Sequence, residues 1–125
     1  MAESVQWHER PGVRRALQLL WGALFLLVSF LALQPQPEGP PSTGWDKLDH
    51  LAAFAALSAL GCLIRGARPV SWVLAGLCAY GGLIEVLQMG IEGRGAEWGD
   101  WGADVLGVLL GWLACGGLLK LIQRR

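Results

Sequence analysis

Four long apolar runs constrain this chain more than any other feature of its sequence. They cover residues 16–33, 48–64, 70–89 and 101–119. A bilayer core about 30 Å thick needs about 20 helical residues, because each residue of an α-helix rises about 1.5 Å. The runs are long enough to span such a core, and they lack the polar outward face of a soluble helix bundle. The sequence therefore predicts an all-α fold, a polytopic membrane bundle of four transmembrane helices with tails at 1–15 and 120–125.

The overall composition agrees with a membrane protein and excludes several other classes. Hydrophobic residues make up 54% of the 125 residues and charged residues 16%, whereas a soluble domain carries about 25% charge. A net charge of zero argues against a nucleic-acid partner. The three cysteines, Cys62, Cys78 and Cys115, lie inside apolar runs, which is typical of packing residues rather than of a disulfide framework.

The basic residues are distributed asymmetrically between the two ends of the predicted spans. Eight of the ten lie in the tails or in the second loop, namely Arg10, Arg14, Arg15, Arg65, Arg68, Lys120, Arg124 and Arg125. Lys47 and Arg94 fall on the opposite side. Because loops rich in Lys and Arg stay in the cytoplasm, both termini are predicted to be cytoplasmic.

Polar residues gather where the second span begins. Asp46, Lys47, Asp49 and His50 open this helix, and spacings of i, i+3 and i+4 place Asp46, Asp49 and His50 on one face. A solvated helix start would explain the acids, because they meet the positive end of the helix dipole. His50 lies one turn further in, where such an explanation is weaker, so a binding site is the alternative.

The third and fourth spans carry acids that a bilayer should exclude. Glu85 follows a long uncharged stretch, with Gln88 on the same face, and Asp100 and Asp104 are separated by i, i+4. A central acid costs about 2.5–3.5 kcal/mol on insertion, so it usually faces a partner or a polar cavity. A structural ion pair and a functional acid both remain open. Gly107 and Gly111 continue the stripe of Asp100 and Asp104 and form a small-residue packing motif.

Arg94 stands in a glycine-rich loop beside several acids. A single cation there can act as a counter-ion that relieves repulsion between carboxylates. Alternatively, its planar guanidinium can recognise an anion such as a carboxylate or phosphate. The sequence favours both interpretations equally.

The ordered set of polar motifs resembles the VanZ-like membrane proteins. The motifs are Asp46-Lys47-x-x-His50, Glu85-x-x-Gln88, Gly93-Arg94, Asp100 and Gly107, and they follow one another on three consecutive spans. The resemblance covers about half of the chain, from Trp45 to Gly111. It implies a bacterial inner-membrane protein whose polar cluster faces the cell wall, and the founding member is an accessory factor for teicoplanin resistance. Family members usually carry Asn where this chain has Asp104, so this chain adds an acid to the site.

We therefore expect a multi-pass protein whose outward-facing polar site binds or modifies a lipid-linked or cell-wall component. The expected proton-transfer residues are His50, Glu85 and Asp104. The expected ligand contacts are Asp46, Lys47, Gln88, Arg94 and Asp100. We expect no cofactor, because the sequence has no Walker loop, GxSxG or HExxH motif.

Two other functions remain open at this level. The chain could be a non-enzymatic membrane adaptor whose polar residues only hold the helices together. Ion-coupled transport is the third hypothesis, although four helices with no internal repeat would need to oligomerise to form a pathway. A metal site at His50 and the acids is not expected, because dense HxxxH or CxxC spacing is missing.

The orientation can be tested by cysteine labelling in a background that lacks the three native cysteines. The variant Gly39→Cys, in the first loop, should react with a membrane-impermeant maleimide in intact cells. Ala67→Cys, in the second loop, should react only after permeabilisation. The reverse pattern would contradict cytoplasmic termini.

Overall fold

The computed structural model describes residues 7–38, 45–66 and 68–123 of the chain. The ends of both tails and the loop residues 39–44 lie outside these ranges. The two labelling positions, Gly39 and Ala67, also fall outside the described residues.

The described part of the chain is helical and has no strand. A short 3₁₀ turn, Trp7–Glu9, precedes four long helices: α1 (Pro11–Ala32), α2 (Trp45–Ile64), α3 (Val70–Gln88) and α4 (Trp98–Gln123). All four are long and apolar enough to cross a membrane. The predicted all-α bundle of four membrane-spanning helices is therefore confirmed, and the chain is a multi-pass membrane protein.

The helices extend beyond the apolar runs, most clearly at the two ends of the chain. The helix α1 begins at Pro11 and α4 continues to Gln123, so Arg14 and Lys120 are helical rather than part of the tails. An apolar run measures only the thickness of the hydrocarbon core, whereas helical hydrogen bonding continues into the polar interface. Proline is well suited to the first turn of α1, because the missing N–H would have no helical partner there.

The bundle has two chemically different ends. At the acidic end, defined by Asp46, Glu97 and Asp100, the beginnings of α2 and α4 meet through Lys47. At the opposite, basic end, Arg14 of α1 donates a hydrogen bond of 3.2 Å to the carbonyl of Ile64, the last residue of α2.

The most extensive helix–helix contact among the described residues joins α2 to α4. A Cβ atom at Gly107 would overlap the carbonyl oxygen of Leu51, and one at Gly111 would overlap that of Ala55. The Ser58 hydroxyl, which is fully buried, donates to the carbonyl of Val108 at 2.6 Å. Because the glycine contacts and the Lys47–Asp100 contact proceed in the same order along both helices, α2 and α4 run parallel. The glycine motif predicted from sequence lies at this contact.

A small hydrophobic core lies beside the α2–α4 contact. It contains Phe54, Leu57, Leu77, Ile84 and Val108. Stacked aromatic rings extend it toward α1, with centroid separations of 5.7 Å for Phe54–Tyr80, 4.4 Å for Tyr80–Phe25 and 5.2 Å for Phe25–Trp21. Aromatic packing of this kind adds to the apolar burial that holds neighbouring helices together.

The helix α1 lies at the periphery of the bundle. None of its residues is buried, and large side chains such as Leu19 and Leu26 are 69% and 68% exposed. In the middle of the helix, the Trp21 indole donates to the carbonyl of Leu57 at 3.0 Å, and the Ser29 and Tyr80 hydroxyls share a hydrogen bond. Exposed leucines on this scale are suited to lipid rather than to water.

The glycine contact predicts a position-specific effect on stability. We expect Gly111→Ala to lower the free energy of unfolding by about 1–3 kcal/mol, because the new methyl group overpacks against α2. Gly117→Ala, in the same helix, is the matched control, since a Cβ there meets nothing within 4 Å. Alanine at an open helical position should stabilise slightly or have no effect. Circular dichroism can monitor the thermal unfolding of both variants in detergent. Equal melting temperatures for Gly111→Ala and Gly117→Ala would contradict the close contact.

Candidate functional site

The candidate site forms where three helices bring polar side chains together near the acidic end. His50 lies in the second turn of α2, Asp104 in the second turn of α4, and Glu85 in the last turn of α3. Because α2 and α4 are parallel and start together, residues at the same depth from their starts face one another. The three expected proton-transfer residues therefore occupy one level of the bundle.

His50 and Asp104 form a buried pair. The His50 Nδ1 atom lies 2.8 Å from Asp104 Oδ1, and the two side chains are 9% and 0% exposed. An ionised Asp104 accepts this hydrogen bond from Nδ1–H, which fixes the orientation of the ring. The other ring nitrogen, Nε2, is then the one that can take up a proton, as in other His–Asp pairs.

Glu85 and Asp104 each keep one buried carboxylate oxygen that has no partner among the described residues. Glu85 Oε2 accepts a 2.8 Å hydrogen bond from the backbone N–H of Glu97, whereas Oε1 is buried and unpaired. Asp104 Oδ2 is likewise buried and unpaired. A Cβ atom at Gly81 of α3 would lie 2.7 Å from it, so the absence of a side chain at Gly81 makes room for the carboxylate.

The donor atoms of the three residues are close enough to act on one ligand. One nitrogen of His50 and one oxygen each of Glu85 and Asp104 lie within 4.8 Å of one another. A second group of this kind contains Asp46, His50 and Asp100, which shares the histidine. Nitrogen and carboxylate oxygen donors at this separation are of the type that holds a metal ion, although their spacing along the chain did not predict a metal site.

Lys47 connects α2 to the start of α4. Its ammonium group donates to Glu97 Oε2 and to Asp100 Oδ1, both at 2.9 Å. Asp100 is 5% exposed, so this ion pair neutralises an acid that is removed from solvent. Both residues were expected to contact a ligand, and in the structure they bond to each other.

Gln88 bonds away from the His50–Asp104 pair. Its side chain is buried, and its Nε2 donates a 2.8 Å hydrogen bond to the carbonyl of Ala32, the last residue of α1. The last carbonyls of a helix have no partner within the helix, so Gln88 satisfies one of them. Helical spacing placed Gln88 on the same face as Glu85. In the structure, the side-chain nitrogen of Gln88 holds the end of α1.

Arg94 has a role that neither sequence interpretation anticipated. Its Nε donates to the carbonyl of Gln34 at 2.9 Å and its Nη2 to the carbonyl of Leu31 at 3.0 Å. Among the described residues, its side-chain hydrogen bonds therefore go to backbone carbonyls at the end of α1 and not to acids. Cations favour the negative end of a helix, where the terminal carbonyls collect.

Gly93 allows the loop before α4 to pack against the segment that follows α1. It has a φ of 74°, and a Cβ atom there would overlap the carbonyl of Gln36. The Gln36 N–H donates to the carbonyl of Glu92 at 2.9 Å. Gly93 and Arg94 thus join the loop before α4 to the segment that follows α1. The sequence feature that could have indicated this contact is a glycine directly before an arginine in a loop.

Two polar contacts join α3 to its neighbours in the membrane-spanning part. The Trp101 indole donates to the carbonyl of Cys78 at 3.0 Å and joins α4 to α3. The hydroxyl oxygens of Tyr80 and Ser29 lie 2.5 Å apart and share a hydrogen bond that joins α3 to α1. No sequence motif predicts either contact, because a single tryptophan or tyrosine in a span is equally compatible with a position at the membrane interface.

No family model, curated protein or solved structure matched this chain when it was compared with all three. The function must therefore be inferred from the site, and the VanZ-like resemblance stays a prediction.

The geometry of Arg94 predicts the outcome of Arg94→Lys. A lysine has one ammonium group on a flexible stem and lacks the planar fork that reaches two carbonyls. We expect the loss of one hydrogen bond to lower stability by about 0.5–1.5 kcal/mol and to speed amide exchange in residues 33–38. Arg15→Lys is the control, because Arg15 is an exposed residue of α1.

Thermal unfolding and hydrogen–deuterium exchange in detergent provide the measurements. Identical exchange in both variants would show that the two hydrogen bonds do not hold the end of α1. A variant with wild-type stability that fails to complement a deletion strain would instead assign Arg94 to ligand recognition.

Proposed function

We propose that this chain is a bacterial inner-membrane protein of the VanZ-like kind that binds or modifies a component of the cell envelope. The site consists of His50, Glu85 and Asp104, and the acidic end of the bundle faces the cell wall. The orientation is supported by the eight basic residues at the other end of the spans. The order of polar motifs along α2, α3 and α4 supports the family and the link to teicoplanin resistance.

One observation carries this proposal: two unpaired carboxylate oxygens lie in the same buried cluster as a histidine. Leaving a buried acceptor unsatisfied costs about 1–3 kcal/mol. Intramembrane acids are otherwise rare and usually mark a ligand or proton pathway. A cluster that served packing alone would be expected to pair Glu85 Oε1 and Asp104 Oδ2, as it pairs their other oxygens.

The chemistry of the cluster suits a ligand rich in hydroxyl and amide donors. A lipid-linked or cell-wall component offers both groups at the membrane surface. Glu85 Oε1 would accept a hydrogen bond from such a donor and position it. His50, oriented by Asp104, would accept a proton at Nε2 from a ligand hydroxyl, and the Asp104 carboxylate would stabilise the resulting imidazolium.

The contacts of the other polar residues favour a second candidate function. Lys47, Gln88 and Arg94 all bond to other parts of the chain, as expected of a non-enzymatic membrane adaptor whose polar groups are structural. The two candidates differ in what they require of Glu85. A site that binds or reacts needs its carboxylate, whereas an adaptor needs only the helix packing.

The variant Glu85→Gln separates these functions because it keeps the size of the side chain and removes its charge. In cells that lack the native gene copy, we expect this variant to leave teicoplanin susceptibility at the level of the deletion strain. Glu92→Gln, in the exposed loop before α4, is the matched control and should restore the wild-type level. A quantitative membrane blot must show equal abundance of both proteins.

Full complementation by Glu85→Gln at equal abundance would contradict the proposed site and support the adaptor. Mass spectrometry of lipids that co-purify with the wild-type protein, but not with Glu85→Gln, provides an independent readout of ligand binding.

A further inference from the structure

Three different helices each supply one metal-binding side chain to the same point. His50 comes from α2, Glu85 from α3 and Asp104 from α4, and their donor atoms lie within 4.8 Å of one another. Two atoms that bind one zinc ion tetrahedrally, each at about 2.0–2.1 Å, are about 3.3 Å apart. His50 Nδ1 and Asp104 Oδ1 lie 2.8 Å apart and share a proton in a hydrogen bond, so a bound zinc ion would replace that proton and widen the gap by a few tenths of an ångström.

The two acids of the cluster carry negative charge that a bound cation would compensate. Glu85 and Asp104 are 6% and 0% exposed, and no Lys or Arg in the described ranges forms a salt bridge with either of them. The nearby Lys47 is engaged by Glu97 and Asp100. His50 can supply one positive charge at most, and buried carboxylates without a compensating charge are strongly disfavoured in a medium of low dielectric constant. A divalent ion would balance both acids at once.

The unpaired oxygens identify where such an ion would bind. Glu85 Oε1 and Asp104 Oδ2 are buried and have no hydrogen-bond donor among the described residues. A metal ion accepts electron pairs from such oxygens and so provides the partner that the protein does not. The competing group, which consists of Asp46, His50 and Asp100, is less suitable because Lys47 already donates a hydrogen bond to Asp100 Oδ1.

The donor set indicates the class of metal. One imidazole nitrogen with two carboxylate oxygens suits first-row transition ions such as Zn²⁺, whereas Ca²⁺ and Mg²⁺ prefer sites made only of oxygen. Three protein ligands leave a coordination position open for water or a ligand, as in catalytic rather than structural zinc sites.

We propose that His50, Glu85 and Asp104 bind a divalent transition-metal ion of the zinc class. This inference rests on the proposed function in that it assigns an ion to the same site. Zinc bound there would act on a hydroxyl or carbonyl of the envelope component through its open position.

The test measures zinc bound to the full-length protein, purified in detergent without a polyhistidine tag and stripped with EDTA. After addition of Zn²⁺ and gel filtration, elemental analysis should find about one ion per chain. Binding should be lost in His50→Ala and Glu85→Gln. It should persist in His8→Ala, which removes the other histidine of the chain, and in Asp46→Asn, which alters only the competing group.

A spectroscopic readout separates a defined site from adventitious binding. Co²⁺ in place of zinc should give visible absorption bands in the wild type and not in Glu85→Gln. Circular dichroism verifies folding, and if His50→Ala does not fold, the isosteric Glu85→Gln carries the test alone. Substoichiometric zinc in the wild type, or unchanged binding in Glu85→Gln, would overturn the metal site, as would loss of binding in Asp46→Asn.

The failures of the two proposals can be distinguished. A wild-type protein that binds no zinc, together with loss of the envelope phenotype in Glu85→Gln, overturns the metal site alone. Zinc binding that Glu85→Gln abolishes while the envelope phenotype stays intact overturns the proposed function alone.

Discussion

The close approach of α2 and α4 at Gly107 and Gly111 is the contact on which the rest of the structure depends. Lipid tails are as apolar as leucine, so helices in a bilayer associate through packing and hydrogen bonds rather than through the hydrophobic effect. The two glycines bring the α4 backbone against the carbonyls of Leu51 and Ala55. Asp104 lies about one turn before Gly107 on the same stripe, and the contact therefore places it opposite His50.

The ends of the helices are held by polar side chains that reach terminal carbonyls. Arg14 bonds to the end of α2, and Gln88 and Arg94 bond to the end of α1. Backbone groups near a membrane must find partners inside the protein where water is scarce. The peripheral helix α1, which buries no residue of its own, is joined to the bundle largely through these ties and its aromatic side chains.

The polar residues thus separate into two groups with different physical roles. Lys47, Gln88 and Arg94 use their donors on other parts of the chain. His50, Glu85 and Asp104 form a cluster that keeps two buried acceptors unpaired. This separation reduces a long set of candidate residues to three, and these three are the basis for proposing both an envelope ligand and a metal ion.

The sequence by itself determined that the chain forms four membrane-spanning helices, because apolar length is a local property of each segment. It also determined which residues share a face, since Asp100, Asp104, Gly107 and Gly111 follow from helical periodicity alone. Periodicity does not say which helix that face meets. Only the tertiary structure decided that His50 meets Asp104, 54 positions away, and that Arg94 meets α1 rather than an acid. Those pairings depend on the relative rotation and depth of separate helices, which backbone contacts such as Gly107 against Leu51 fix.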